Sequence, residues 1–449
     1  MAELIYSATI SKKAASASIW NITQVFAGGA LRLSSNLIMT RLIAPDAFGM
    51  MALIVSVTIA FELFSDIGIQ KSIIKDSDGD TTSYLRAAWT LKIIRGFFLS
   101  FTIMILAIST WIIAPKWGPM NTIYSDPLLP FLIGAMSVVP ILEGAKSTSA
   151  MLAVRIFHNG RVTLLQILGQ FSGAISQICI AMIWPSIWAL VIGLITGNAI
   201  RLALSHVIFD GPRMAWEPDP DISYRIWSFG KHLMASSTLI FFATNADKFV
   251  LSLFLDVKQF GVYSISSIWI SSGLSVMNKI SNNVAFSVFS DALRITPKSA
   301  PKIFKKTQSL FDGTATVLFL LFFVTGEGVL RLLYTESYYA SGRMVTFLSL
   351  VFLSSRFATM DMFILNHGNS RAMMITSGIR AIAILIFLPL GYTLIGIEGA
   401  LLAVALTPLS SAPYTIWLIR PLLGEGYAAR QVLWVVAILQ TAVAVYLTY

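Results

Sequence analysis

The 449-residue sequence predicts an all-α integral membrane protein with two parallel-repeat lobes of six transmembrane helices around a central cavity, plus an extra C-terminal helix. Composition is the first observation behind this. With 56% hydrophobic and 12% charged residues and a mean hydropathy of +0.76, the chain reads as polytopic rather than soluble. A duplicated landmark is the second. RLIAPDAFGMMA at Arg41–Ala52 returns in degenerate form as FLDVKQFGVYS at Phe254–Ser264. In both places a long helix rich in polar residues ends, a short turn follows, then Phe-Gly opens an apolar run. Phe48 and Phe260 lie 212 positions apart, and a weaker echo (HNGR at His158–Arg161, NHGNSR at Asn366–Arg371) sets Gly160 and Gly368 208 apart. Two unrelated landmarks with nearly one offset imply a duplicated unit.

Apolar runs of about 20 residues place spans near 18–41, 48–70, 85–109, 128–150, 162–184 and 187–208. A second set lies near 230–255, 261–285, 308–331, 343–366, 371–393 and 396–419, with a last run at 431–448. This gives an N-terminal lobe (1–209), an inter-lobe linker (210–228), a C-terminal lobe (229–420) and a further span within 421–449. Met1–Ala17 is polar and carries Lys12 and Lys13, so it does not read as a secretory signal and the first helix is expected to be retained. Cys179 is the sole cysteine, which leaves no disulfide within the chain.

The loops orient these spans. Lys12, Lys13, Lys71, Lys75, Arg86, Arg155, Arg161, Arg213, Arg225, Lys231, the Arg294–Lys306 stretch, Arg371, Arg420 and Arg430 fall on one side. Arg41, Lys116, Lys258 and the Arg331–Arg343 turn fall on the other. The positive-inside rule then makes the N-terminus cytoplasmic in a bacterial inner membrane. It also explains the net charge of +10 without a nucleic-acid partner. Six spans per lobe is even, so both lobes enter the membrane the same way. The linker DGPRMAWEPDPDISYR (Asp210–Arg225) holds Pro212, Pro218 and Pro220, which oppose a continuous helix.

Polar residues inside the spans point to function. Helix 1 carries Asn21, Gln24, Arg32, Ser35 and Asn36; helix 7, its repeat partner, carries Thr244, Asn245, Asp247 and Lys248. Helix 8 adds Asn278, Lys279, Asn282 and Asn283. Arg32, Arg356 and Arg380 fall near mid-span, where an ionisable group costs about 2.5–3.5 kcal/mol on insertion scales. Two readings stand side by side. The acids and bases pair between helices, as Asp247 with Lys248 or Arg356 with Asp361; or a basic, water-filled cavity receives an anion. The second reading assigns substrate contact to Arg32, Arg356, Arg380, Lys248 and Lys279, and makes Glu62, Asp66, Glu143, Asp247 and Asp361 candidates for ion coupling.

Other features have structural explanations. Gly169-xxx-Gly173 and Gly193-xxx-Gly197 read as a close helix crossing. The tryptophans near span ends read as interface anchors, and the basic Arg294–Lys306 loop reads as orientation signal with some pull on anionic headgroups. No GxxxxGK[ST] loop, HExxH or Cys/His spacing occurs, so neither a cofactor nor a metal is expected. Asp219 and Asp221 form a DxD-like pair, without the surrounding domain a glycosyltransferase needs.

RLIAPDAFGMMAL with FELFSDIGIQKSII, and NADKFVLSLFLDVKQFGVYSISS in the second lobe, resemble bacterial Wzx-like polysaccharide-export flippases of the MATE-like (MOP) transporter superfamily. The resemblance covers most of the chain up to about Arg420. It implies a non-enzymatic flippase for an undecaprenyl-diphosphate-linked oligosaccharide in exopolysaccharide, capsule or O-antigen synthesis. Alternating access, and a polysaccharide polymerase with chain-length machinery as partners, follow from the same resemblance. A cation-coupled small-molecule exporter on the same fold, lipid II flipping, and a membrane polysaccharide polymerase or ligase remain as alternatives.

Overall fold

The computed structural model describes residues 2–117, 122–279, 281, 285–295 and 297–448; for a few of these, 2–15 among them, only the backbone is described. The side chains of Lys12, Lys13, Lys116 and Lys279, and all of Asn282 and Asn283, lie outside the described set.

Every span expected from the sequence is largely helical where it is described, and several are broken by turns. The chain opens with α1 (Ala2–Leu42), α2 (Pro45–Phe64), α3 (Ile69–Lys75) and α4 (Thr82–Trp117). It continues through α5 (Leu129–Met136), α6 (Val138–Ala145), α7 (Ser149–Arg155), α8 (Asn159–Ile183) and α9 (Ile187–Ser205). Next come α10 (Pro220–Phe254), α11 (Val257–Lys279), α12 (Phe286–Ile295) and α13 (Ala300–Leu333). The last are α14 (Ala340–Leu348), α15 (Leu350–Ser354), α16 (Phe357–Asn366), α17 (Ser370–Ile395), α18 (Ile397–Leu406), α19 (Ala412–Leu423) and α20 (Glu425–Thr448). No strand occurs among the described residues.

The duplication survives as a register of helix ends. α1 stops at Leu42 and α10 at Phe254; α2 starts at Pro45 and α11 at Val257, so both pairs keep the offset of 212. The fourth span breaks at Ser137 and its counterpart at Ser349, again 212 apart. Each of these serines turns its hydroxyl onto the carbonyl three residues back, of Gly134 (2.7 Å) and Thr346 (2.6 Å). That bond competes with the helical ladder and bends it. Pro140 adds to the first break, because it cannot donate to the carbonyl a turn behind it.

Ten described helical segments are long and apolar enough to cross a membrane, and an eleventh if the bent α5–α7 run counts as one. The expected thirteen included two more, α1 and α10. Both are long helices of 41 and 35 residues, but too polar for that set. On α4 the outward residues Phe97, Phe101, Met104, Ile105 and Ile108 are all exposed, the inside-out pattern of a helix solvated by lipid.

The chain forms two compact units, Met1–Thr238 and Leu239–Tyr449, and the division falls within α10. Residues 220–228, placed by the sequence in a linker, are the first turns of α10: Pro220 takes a starting position where its missing N–H costs nothing. There Ile226 is fully buried among Ile67, Ile73, Tyr84 and Leu85 in the core of unit 1. The core of unit 2 is aromatic, with Phe289, Phe304 and Phe363 in mutual ring contact. α20 packs on α15 and α19 and buries Ile438 there, so the extra C-terminal helix belongs to unit 2.

The GxxxG reading of α8 and α9 holds. A methyl group at Gly173 would sit 2.8 Å from the Gly193 carbonyl oxygen, and one at Gly197 2.7 Å from that of Gly169. Both obstacles are backbone and cannot swing away. Gly173→Ala is therefore expected to destabilise the protein by about 1–3 kcal/mol through overpacking, and Gly197→Ala likewise. Thermal unfolding of the detergent-solubilised protein checks this, with Gly313→Ala, a site with open space around it, as the neutral control.

Candidate functional site

Unit 1 contains an open cavity of about 280 Å³, lined by charged and apolar residues from α2, α3, α4, α6, α7, α8 and α9. Its charged lining comes from Glu62 on α2, Lys92 and Arg95 on α4, and Glu143 and Lys146 at the end of α6. Lys92 and Arg95 are three residues apart and so share one face of α4. α4 and α6 meet backbone to backbone there. A methyl on Gly96 would come within 2.6 Å of the Pro140 carbonyl oxygen, and one on Gly144 within 2.6 Å of that of Lys92.

Each of these charges has a defined position. Lys92 is 9% exposed and donates to the Lys146 carbonyl at 2.9 Å. Arg95 clamps the C-terminal end of α2, with Nε to Ser65 Oγ at 3.0 Å and Nη2 to the Glu62 carbonyl at 2.5 Å. Lys146 is ion-paired with Glu143. Glu62 lines the cavity and, among the described residues, its carboxylate takes part in no ion pair or hydrogen bond. Arg201 on α9 stands behind this wall, tied to Gln166 (3.0 Å) and Asn198 (2.8 Å). Glu62 and Glu143 are thus the two sequence-expected acids that the fold brings together.

The third acid expected nearby, Asp66, has a local task. It accepts the Gly68 N–H at 2.9 Å and closes the turn between α2 and α3. Gly68 has φ +63°, a backbone that favours glycine.

The same end of unit 1 collects its basic loops. Arg225 pairs with Asp76 and Asp78 at 2.9 Å each and lies over the Tyr84 ring. Arg155 donates to the carbonyls of Ile73 and Asp76 at 2.5 Å. Arg86 pairs with Glu217 (3.3 Å), and Arg161 with Asp210.

In unit 2 the mid-span arginines carry their own carboxylates. Arg356, 3% exposed, pairs with Asp312 on α13 at 2.8 Å, not with Asp361 as the sequence had paired it. Its guanidinium lies 4.4 Å from the ring centre of Trp434 on α20, while Nε and Nη1 have no hydrogen-bond partner. Asp361 is taken by Arg380 at 2.7 Å and by Thr415 at 3.3 Å. Arg380 also donates to Ser411 Oγ at 2.8 Å, which a 3-10 turn (Thr407–Ser411) inserts into the twelfth expected span. The sequence missed these pairings because Asp312 lies 44 residues from Arg356, too far along the chain for helical spacing to reveal.

Lys248 touches its neighbour Asp247 only loosely, at 3.5 Å, and Asp247 accepts a hydrogen bond from buried Tyr263. Arg32 lies on α1 and is exposed. Lys279 ends α11, its side chain outside the described set. Lys92, Arg95, Lys146 and Arg201 were not singled out from the sequence. The available signal was the i, i+3 spacing of Lys92 and Arg95 inside an apolar run.

Comparison with known proteins places this architecture. A family model described as polysaccharide biosynthesis protein matches residues 38–342. The succinoglycan biosynthesis transport protein of Rhizobium meliloti (strain 1021) is 20% identical over 334 residues, 74% of this chain and 65% of that protein. The chain therefore aligns with just under two thirds of this relative's length. Among solved structures, the lipid II flippase MurJ in an inward closed conformation is similar over 96% of this chain and 92% of its own (TM-score 0.67, 13% identity). An inward-facing multidrug resistance MATE family transporter of the MOP superfamily is similar over 88% of this chain and 98% of its own (TM-score 0.65, 12% identity). These likenesses establish the fold.

Removing one partner of a buried ion pair strands the other charge and costs about 3–5 kcal/mol, whereas removing both costs far less. Arg380→Ala is expected to lose that much, and Arg380→Ala with Asp361→Ala to recover most of it. Thermal unfolding of the two variants side by side reads the difference.

Proposed function

The chain belongs to the polysaccharide biosynthesis protein family, and from that premise we propose that it flips undecaprenyl-diphosphate-linked oligosaccharide repeat units from the cytoplasmic to the outer leaflet. The observation that carries this reading is the polarity of α1 and α10. These repeat-related helices are among the longest of the described fold, yet neither is apolar enough to serve as an ordinary lipid-solvated span. A membrane helix that keeps Arg32 exposed within its expected span needs an aqueous or polar surface beside it. A lipid-linked sugar needs such a surface to carry its hydrophilic part through the bilayer.

The likenesses are of the same kind. The Rhizobium relative is a transport protein for succinoglycan biosynthesis, and MurJ is a flippase for lipid II. Alternating access is the mechanism we assign, with the N-terminus cytoplasmic. The arginines gathered at one end of unit 1 fit the orientation that the positive-inside rule requires. A polymerase and chain-length machinery are the assigned partners, acting on the flipped unit. Arg32 is assigned the anion contact. Arg356 and Arg380, expected to share that contact, each pair with a carboxylate, Asp312 and Asp361.

Deleting the gene should strand lipid-linked repeat units on the inner leaflet. Arg32→Ala should lower surface polysaccharide about tenfold or more, the loss of a charge-assisted contact of about 1.5–3 kcal/mol, at unchanged abundance in the membrane. Immunoblotting of membranes with polysaccharide quantification reads both. A fall in abundance parallel to the fall in polysaccharide would assign Arg32 to folding instead.

A further inference from the structure

The cavity of unit 1 holds an uncompensated set of donors and one uncommitted acceptor. Lys146 and Glu143 neutralise each other, leaving Lys92 and Arg95 against Glu62 on the wall. Arg201 on α9 stands behind this wall, held by Gln166 and Asn198. Lys92 is nine-tenths buried and uses one of its three N–H groups, on the Lys146 carbonyl. A buried ammonium with donors to spare, lining a cavity with Arg95, is a binding group for an anion. The space, about 280 Å³, lies near the lower end of ordinary small-molecule sites, about 300–1,000 Å³. It admits a small oxyanion and not a sugar chain.

Glu62 decides which oxyanion. A carboxylate in an anion site repels any fully ionised ligand, but it accepts a hydrogen bond from a ligand that still holds a proton. We propose that this cavity binds a protonated phosphoryl group, either hydrogen phosphate or the terminal phosphate of a phosphomonoester. Its oxygens are held by Lys92 and Arg95, and its P–O–H donates to Glu62. Phosphomonoesters lose their second proton near pH 6, so part of the population keeps that proton near neutrality. Sulfate has none to give. The diphosphate of a lipid-linked repeat unit is esterified at both ends and also lacks it. This site therefore goes beyond the transport reading and does not depend on it. The ligand is either free phosphate or the terminal phosphate of a carrier lipid such as a polyprenyl phosphate.

The full-length detergent-solubilised protein, titrated with inorganic phosphate or sulfate at matched ionic strength, tests this by calorimetry or thermal shift. Phosphate is expected to bind saturably, and sulfate about tenfold or more weakly. Glu62→Gln should bring the two anions within about threefold of each other, because a neutral amide no longer repels sulfate. Lys92→Met should abolish binding, and Lys92→Arg should retain it, which separates a lost contact from a misfolded lobe. If Lys92→Met does not fold, the Glu62→Gln selectivity still decides. Vesicles containing polyprenyl phosphate identify the source: displacement of phosphate marks the carrier lipid, and its failure marks the free anion. Non-saturable phosphate binding, or equal affinity for phosphate and sulfate in the unaltered protein, overturns the site.

Discussion

A charge placed in the hydrocarbon depth of a membrane has no solvent except the protein around it, and this constraint shapes both units. Lys92, Arg95, Lys146 and Glu143 are held by one another or by backbone carbonyls. Arg356 has Asp312, and Arg380 has Asp361, Ser411 and an indirect tie to Thr415. The helix breaks serve the same end. Where the spans bend, after Ala145, at Arg356 and at Thr407–Ser411, carbonyls and hydroxyls come free of the helical ladder and become partners for these side chains.

The duplicated units solve the problem with opposite signs. Arg95 lies thirteen residues into α4 from Thr82, and Asp312 lies twelve residues into α13 from Ala300. Glu143 follows the Ser137 break by six residues, and Arg356 follows the Ser349 break by seven. The first unit thus places cations on the third span and an acid on the fourth; the second places an acid on the third and a cation on the fourth. Only the second order pairs charges across the crossing, Arg356 with Asp312; in the first, Glu143 is taken by Lys146, and Lys92 and Arg95 turn to carbonyls and Ser65. The first leaves a cavity with Glu62 uncommitted, whereas the second closes into a tight pair with Gln308 bridging Asp312 and the Arg356 carbonyl.

Hydropathy and the 212-residue echo were enough to read the fold class, the duplication and the helix ends near Leu42 and Phe254, because both are local or periodic signals. The close crossing of α8 and α9 was legible for the same reason. The breaks at Ser137 and Ser349 were not, since a serine that bonds backward looks like any other polar residue in an apolar run. Nor was the start of α10: three prolines signal a loop, but Pro220 fits a first helical turn as readily as a linker. The ion pairs were least legible. Arg356 was matched with Asp361 on chain proximity, while the fold matches it with Asp312 and gives Asp361 to Arg380. The cluster around Lys92 and Arg95 escaped because its partners, Ser65 and the carbonyls of Glu62 and Lys146, lie on other spans, 30 to 54 residues away along the chain.

The C-terminal helix breaks the symmetry, and the unsatisfied edge of Arg356 shows why it matters there. Asp312 engages one side of the guanidinium, but Nε and Nη1 are buried with no hydrogen-bond partner. A planar cation left in that state is costly, yet its face can still be stabilised by an aromatic ring. Trp434 lies 4.4 Å from it, and Tyr427, from the same helix, packs on Phe304 in the adjoining core. α20 therefore supplies by cation–π contact what the repeat itself does not supply by hydrogen bonding. The first unit needs no such addition, because its cations at the corresponding crossing face carbonyls, a carboxylate and an open cavity. An extra span with no counterpart in the first repeat is thus explained by the polarity reversal within the second.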